Sequence, residues 1–299
     1  MAYLAANATG TRAVTSTPIE PIAKRLQPSA PVTLMLHGYR FSPFCPSRDP
    51  HATMFAPRPA HPDRRAASWC SDLGMERDGL AVGFGWRADR SIWQADAEAA
   101  RAGQALADLI MRLRGAGAPA VNLIGHSLGA RVALCALPHL SAGDVARIVL
   151  LSAAELHNRA AMALGSPAGR ATEVLNVTSR ENDLFDLMFE LLIGGPFRKI
   201  GPALGEGLHA RNAVTLQIDN RKHRNGLMSL GFPTAPPTRR VCHWSACTKP
   251  GLFPLYRRFL HQPDLLPLAQ LRAALPEDTA PRWSRLFSGP LQPEPIAAT

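Results

Sequence analysis

Ala120-Val121-Asn122-Leu123-Ile124-Gly125-His126-Ser127-Leu128-Gly129-Ala130-Arg131-Val132-Ala133-Leu134-Cys135-Ala136-Leu137 runs from an apolar segment into a helix-forming one across two glycines that bracket a serine. The first five residues suit a short buried strand, and the last eight favour a helix. A strand that becomes a helix within so few residues leaves room only for small neighbours, so Gly125 and Gly129 read as steric necessities. Ser127 is then pushed into a strained, exposed conformation, as a nucleophile elbow requires. The competing reading is a plain N-cap serine between glycines.

Working outward, apolar runs at 31–36, 80–86, 146–152, 173–179 and 213–218 read as further strands. Helical patterns lie between them, at 91–113 (capped by Ser91), from 153 to about 163 and at 183–193, with a last one at 252–260. Strands apolar on both faces and alternating with helices predict an α/β fold, a mostly parallel sheet with helices on both faces. Residues 1–30 are polar and small and read as a partly ordered arm, 31–262 as the main domain and 263–299 as a C-terminal extension. From Tyr39 to Asp78, six prolines interrupt a stretch too long for a simple connection, which predicts a functional loop or a flexible excursion.

Composition narrows the classes. The chain has 299 residues, 46% hydrophobic and 19% charged, enough to bury a large core. Neither a secretory leader at 1–30 nor an apolar membrane-spanning run stands out, so a cytoplasmic protein is expected. Five cysteines, Cys45, Cys70, Cys135, Cys242 and Cys247, are an odd number and read as reduced thiols, with a Cys45–Cys70 bridge as the alternative. Cys242 and Cys247 flank His243 without a second ligand pair at zinc spacing, so no metal and no cofactor is expected. The net charge of +10 would attract anions, but the basic clusters at 221–224 and 239–240 lack interleaved aromatics. Nucleic acid is therefore a poor candidate partner, and solvated loops are the better reading.

A serine hydroxyl near neutral pH needs a base in reach and an acid that fixes the base's tautomer. In a parallel sheet these partners belong just past the C-terminal strand ends, where the loops converge. The strand at 173–179 delivers Glu181, Asn182 and Asp183 to that edge; Asp183 is the preferred acid, with Glu181 and Asp186 as rivals. For the base, His243 is preferred because Trp244 and apolar neighbours would shield its ring. His223 lies in a basic run, and His209 precedes the last strand. The oxyanion donors expected are the backbone N–H groups of Leu128, at a helix start, and of Tyr39, where Gly38 permits close approach. His37 reads as orienting that loop by hydrogen bonding rather than transferring protons.

With Leu36-His37-Gly38-Tyr39, Gly125-His126-Ser127-Leu128-Gly129, Asn182-Asp183 and His243-Trp244 in this order, residues 31–262 resemble the α/β-hydrolase superfamily. The likeness is to small bacterial serine hydrolases of esterase or lipase type. It implies a Ser127–Asp183–His243 triad and an oxyanion hole from the Tyr39 and Leu128 amides. Cleavage of a small acyl ester through an acyl-enzyme is the expected reaction; transfer to an alcohol or amine by the same serine, or an inactive binding protein, are the alternatives. Segments 39–78, 194–209 and 221–241 are expected to roof the pocket with an arginine-rich rim that favours anionic substrates.

Overall fold

The structure, a computed structural model, describes residues 2–61, 68–75, 79–194 and 202–287. One sheet is built from β1 (Ala2–Thr9), β2 (Arg12–Thr15), β3 (Val32–Leu36), β4 (Leu80–Gly85), β5 (Val121–His126), β6 (Val145–Leu151), β7 (Glu173–Thr178) and β8 (Ala213–Gln217). Its order is β2-β1-β4-β3-β5-β6-β7-β8, parallel throughout except for the antiparallel edge pair β1–β2. The longer helices are α1 (Ile92–Gly115), α2 (Leu128–Ala136), α3 (His157–Leu164), α4 (Asp183–Gly194), α5 (Arg221–Ser229), α6 (Leu252–His261) and α7 (Leu268–Ala274).

Alternate strand residues feed two separate cores. Leu34, Leu123 and Ile148 pack on one face with residues of α1, α2 and α3. Met35, Ile124 and Val149 pack on the other with residues of α5, α6 and α7. A sheet covered on both sides explains the continuous apolar strands, and the mostly parallel sheet with helices on both faces is the one the sequence led us to expect. Helix α1 starts where Ser91 and Gln94 cap it reciprocally. Its buried alanines and Gly103 let it lie against α2 so closely that a Cβ at Gly103 would meet Cys135 Cβ at 2.5 Å.

Three stretches differ from expectation. Residues 2–15 are not an arm but two strands: Leu4, Ala6 and Ala8 alternate into the core, and Ala2 to Asn7 register against Leu80 to Gly85. With alanine at all but one of these inward positions, the strand has too little hydrophobicity to stand out in the sequence. The region after 262 is also built into the domain, since Leu268, Leu271 and Leu275 join the second core and Arg147 donates to the carbonyls of Phe259 (2.5 Å) and Leu266 (3.0 Å). In the stretch after Tyr39, Met54, Phe55 and Trp69 are buried, while 62–67 and 76–78 lie outside the described residues. Among the described residues no helix is long and apolar enough to cross a membrane.

The β5–α2 turn sits against β3 with no free space. A Cβ at Gly129 would lie 2.3 Å from the Leu36 carbonyl oxygen and 2.7 Å from that of His37, and backbone atoms cannot swing aside. Gly129→Ala is therefore expected to cost about 1–3 kcal/mol, read as a lower urea midpoint at unchanged slope. Gly115→Ala, where nothing lies within 4 Å, is the control and should not destabilise.

Candidate active site

Strands β3, β5, β6 and β7 all end at one edge of the sheet, and the site is assembled there. β5 stops at His126 and α2 starts at Leu128, so Ser127 alone turns the chain, with φ 56° and ψ −125°. Such a conformation costs about 1–3 kcal/mol and persists only where its surroundings enforce it. Here the Ser127 N–H donates to Leu151 O at 3.0 Å, and its carbonyl accepts from Ala130 (3.0 Å) and Ala154 (3.1 Å). Gly125 packs on the next turn, where a Cβ would lie 2.6 Å from Gly129 O.

The loop after β3 passes directly over the serine. A Cβ at Gly38 would lie 2.7 Å from Ser127 Cβ and 3.3 Å from its Oγ. His37 fixes this loop: its Nδ1–H donates to Gly38 O (2.9 Å), and its Nε2 accepts from the Trp86 N–H (3.0 Å). The Trp86 indole N–H donates to His37 O at 3.0 Å, and the two rings stack with centroids 5.3 Å apart. Complete burial pushes His37 down to about 3, so it stays neutral and holds its proton on Nδ1.

His243 reaches the same edge from the segment between α5 and α6. Cys242 N–H donates to Glu181 O (2.8 Å), the Ser245 hydroxyl donates to the Glu181 carboxylate, and His126 Nε2–H donates to His243 O (3.0 Å). These bonds tie the segment to the end of β7 and to the elbow. Phe185 stacks on the His243 ring with centroids 4.8 Å apart, while His126 lies 4.6 Å from it and stacks on Trp244 at 4.3 Å. Burial, with a smaller contribution from His126, holds His243 well below the ordinary histidine value. Burial likewise pushes His126 down to about 4. Both rings are neutral at pH 7.

His243 Nδ1 lies 2.6 Å from Asn182 Oδ1. An amide oxygen only accepts, so the ring proton sits on Nδ1 and Nε2 keeps its lone pair. Ser127, Leu128, Tyr39, His126 and His243 all line one cavity of about 700 Å³. Among the described residues no hydrogen bond joins the Ser127 hydroxyl to the His243 ring; contacts of this kind commonly tighten only when substrate is bound.

Asp183 is committed elsewhere. Its carboxylate accepts from Arg180 Nη1 at 3.0 Å and from the Trp283 N–H at 2.6 Å. The contact expected of it at His243 Nδ1 is made instead by Asn182, because consecutive residues entering a helix point about 100° apart and only one of them can face the ring. Of the rivals, Glu181 anchors the 242–245 segment, and Asp186 stands behind Asn182, accepting from its Nδ2 at 2.8 Å. His223 is buried on α5, where its Nδ1 accepts from Gln217 N–H at 3.2 Å; neither it nor His209 lines the cavity. The basic run around His223 concealed a helix that buries this face. In the sequence Asn182 stands out only as the neighbour of Asp183 in the Asn182-Asp183 motif, and Phe185 not at all; the available signal is the four-residue spacing of Asn182 and Asp186 across the strand-to-helix junction. Among the described residues no group of three or more His, Cys, Asp or Glu could hold a metal ion.

The cavity wall is divided. Phe185, Met188 and Leu192 of α4 form an apolar side, and Arg40 and Arg48 bring positive charge from the segment after β3. Residues 195–201 lie outside the described residues; among the described ones, 194, 202–209 and 221–241 contribute no lining residue.

A family model described as a protein of unknown function (DUF726) matches residues 89–177, the stretch that holds α1, the elbow and β6. No curated protein matches the sequence. Among solved structures, the mature form of the Bacillus licheniformis lipase BlEst2 is 12% identical, with a TM-score of 0.37 over 65% of this chain and 85% of that one. The propeptide form of the same lipase is 13% identical, with a TM-score of 0.39 over 80% of this chain and 52% of that one. The chemistry must therefore be argued from the site itself.

Arg180 and Asp183 are each 2% exposed, and removing one charge of a buried pair strands the other. Asp183→Ala is expected to lower stability by about 3 kcal/mol, measured by urea denaturation at pH 7.

Proposed function

We propose that this chain is a serine hydrolase that cleaves a carboxylic ester through an acyl-enzyme. The observation that carries the reading is Ser127 itself, held at positive φ on a turn enforced by glycines and opening into a cavity shared with a neutral, tautomer-fixed histidine. Backbone strain of this kind clusters at active sites, where the surroundings enforce it.

In the proposed reaction the Ser127 proton passes to His243 Nε2 as the oxygen attacks the ester carbonyl. The tetrahedral oxyanion meets the N–H of Leu128, at the positive end of α2, and the N–H of Tyr39, brought close by Gly38. Collapse releases the alcohol, which takes the proton from His243. Water then attacks the acyl-enzyme, giving its proton to the same nitrogen, and the carboxylic acid leaves as Ser127 is restored.

The expected result is labelling of the folded protein by a fluorophosphonate probe, abolished in Ser127→Ala, together with hydrolysis of short p-nitrophenyl esters that falls about 10²–10⁴-fold in His243→Ala. Folded wild-type protein that takes up no probe would overturn the proposal.

The divided cavity supports a substrate with an apolar acyl part against α4 and an anionic group toward Arg40 and Arg48. Both arginines are exposed, so their attraction is screened by salt. Carboxylate-bearing esters should show a higher kcat/KM than neutral ones at low ionic strength, and the gap should close at about 0.5 M salt. Equal, salt-independent values would remove the anionic preference.

A further inference from the structure

The group that touches the base is an amide, and a carboxyl stands behind it. Asn182, 1% exposed, accepts at Oδ1 from His243 Nδ1–H and donates from Nδ2 to Asp186 Oδ1, at 2.6 and 2.8 Å. The chain builds this deliberately from local geometry. Ser179 caps the 3-10 turn Arg180–Asn182 by accepting from Glu181 N–H (3.1 Å), and Asn182 N–H returns to Ser179 O (3.0 Å). Helix α4 follows at once, so Asp186 stands four residues on from Asn182, on the same face. Asp186 is 4% exposed, and its Oδ2 is buried without a hydrogen-bond partner among the described residues. The opposite wall is Gly205, where a Cβ would collide with that same oxygen.

We propose that Asn182 is the positioning residue that sets the His243 imidazole, and that Asp186 sets Asn182, so that the ring is steered through an amide resting on a buried carboxyl. This rests on the serine-hydrolase reading above and adds to it the identity of the orienting group.

The physical reason for two residues is that an amide has two faces. Left alone, Asn182 could present Nδ2 to the ring, placing a donor against Nδ1 and driving the proton to Nε2, where it would block attack on the serine hydroxyl. An ionised Asp186 accepts only and admits one orientation, with Nδ2 toward itself and Oδ1 toward His243. An amide, unlike a carboxylate, brings no negative charge to the imidazolium that forms during reaction. This agrees with a ring held well below the ordinary histidine value.

Burial, and next to it the Asp183 carboxylate, pushes Asp186 up to about 8. Glu190 acts in the same direction, whereas Arg282 and Arg180 oppose it. His243 is neutral in the resting site. As pH rises through that range, Asp186 gains its charge, locks the amide and favours the imidazolium at one remove, so kcat should rise there.

The tests are kcat, KM and the pH profile on a p-nitrophenyl ester, with fluorophosphonate labelling of every variant and thermal melting to confirm folding. In the wild type the acid limb of kcat/KM should lie below pH 6.5, because the base stays neutral that far down. Asn182→Leu should lower kcat at least 10-fold with a smaller change in KM. Asn182→Asp puts an anion directly on Nδ1 and should retain activity with the acid limb moved up by about one pH unit, which a merely structural asparagine would not do. Asp186→Ala should lower kcat at least 5-fold at pH 9, where the wild-type carboxyl is ionised. Asp186→Asn, which keeps an acceptor, should recover part of that loss but lack the rise near pH 8. Unchanged kcat and limb in the Asn182 variants, or loss of the limb in Asp183→Asn alone, would overturn the assignment of Asn182. A full wild-type profile in Asp186→Asn and Asp186→Ala would overturn the role of Asp186. Failure of the hydrolase reading is a different result: there the wild type itself takes no label and Ser127→Ala changes nothing.

Discussion

The structure turns on the absence of three β-carbons. Gly38, Gly125 and Gly129 meet around Ser127 with their Cα atoms so close to neighbouring backbone or to the serine that no larger residue fits. That crowding lets β5 become α2 in one residue, holds Ser127 at a dihedral it would otherwise leave, and lays the loop after β3 across the hydroxyl. The sheet supplies the rest of the constraint: parallel strands deliver β3, β5, β6 and β7 to one edge, so residues far apart in the chain share one cavity.

Much of this is legible in the sequence. The strand–serine–helix run, the alternation of apolar runs with helical patterns and the two-faced hydrophobicity of the strands lead directly to the observed sheet. What escaped did so for identifiable reasons. β1 turns Leu4, Ala6 and Ala8 inward and Tyr3, Ala5 and Asn7 the other way, and a strand with one large apolar residue on its buried face has period but little hydrophobicity. The helix Arg221–Ser229 was masked by its basic residues, although it buries His223, Arg224 and Leu227. Both errors come from reading polarity as exposure.

At the site, chain order was enough to bring His243 and the β7 end together, but not to choose among three consecutive polar residues. Glu181, Asn182 and Asp183 leave the strand on one tight turn, and each finds a different partner: Ser245, His243 and Arg180. Which side chain faces the ring is decided by about 100° of helical rotation, finer than any pattern in a single sequence resolves. The presence of Arg180 three residues before Asp183 was the local hint that this acid had a competing claim on it.

The stretch around residues 280–283 gives this turn an unexpected tether. Ala280 O takes a hydrogen bond from Arg180 (2.8 Å), Trp283 N–H reaches Asp183, and Arg282 bridges Glu190 and Glu206 at 3.0 and 3.1 Å. Residues a hundred positions downstream thus grip the turn before α4 and the helix itself. The turn that presents an acceptor to the imidazole is therefore completed by chain that lies long after it, so a truncation before residue 280 would strip Arg180 and Asp183 of partners even though every cavity-lining residue remained.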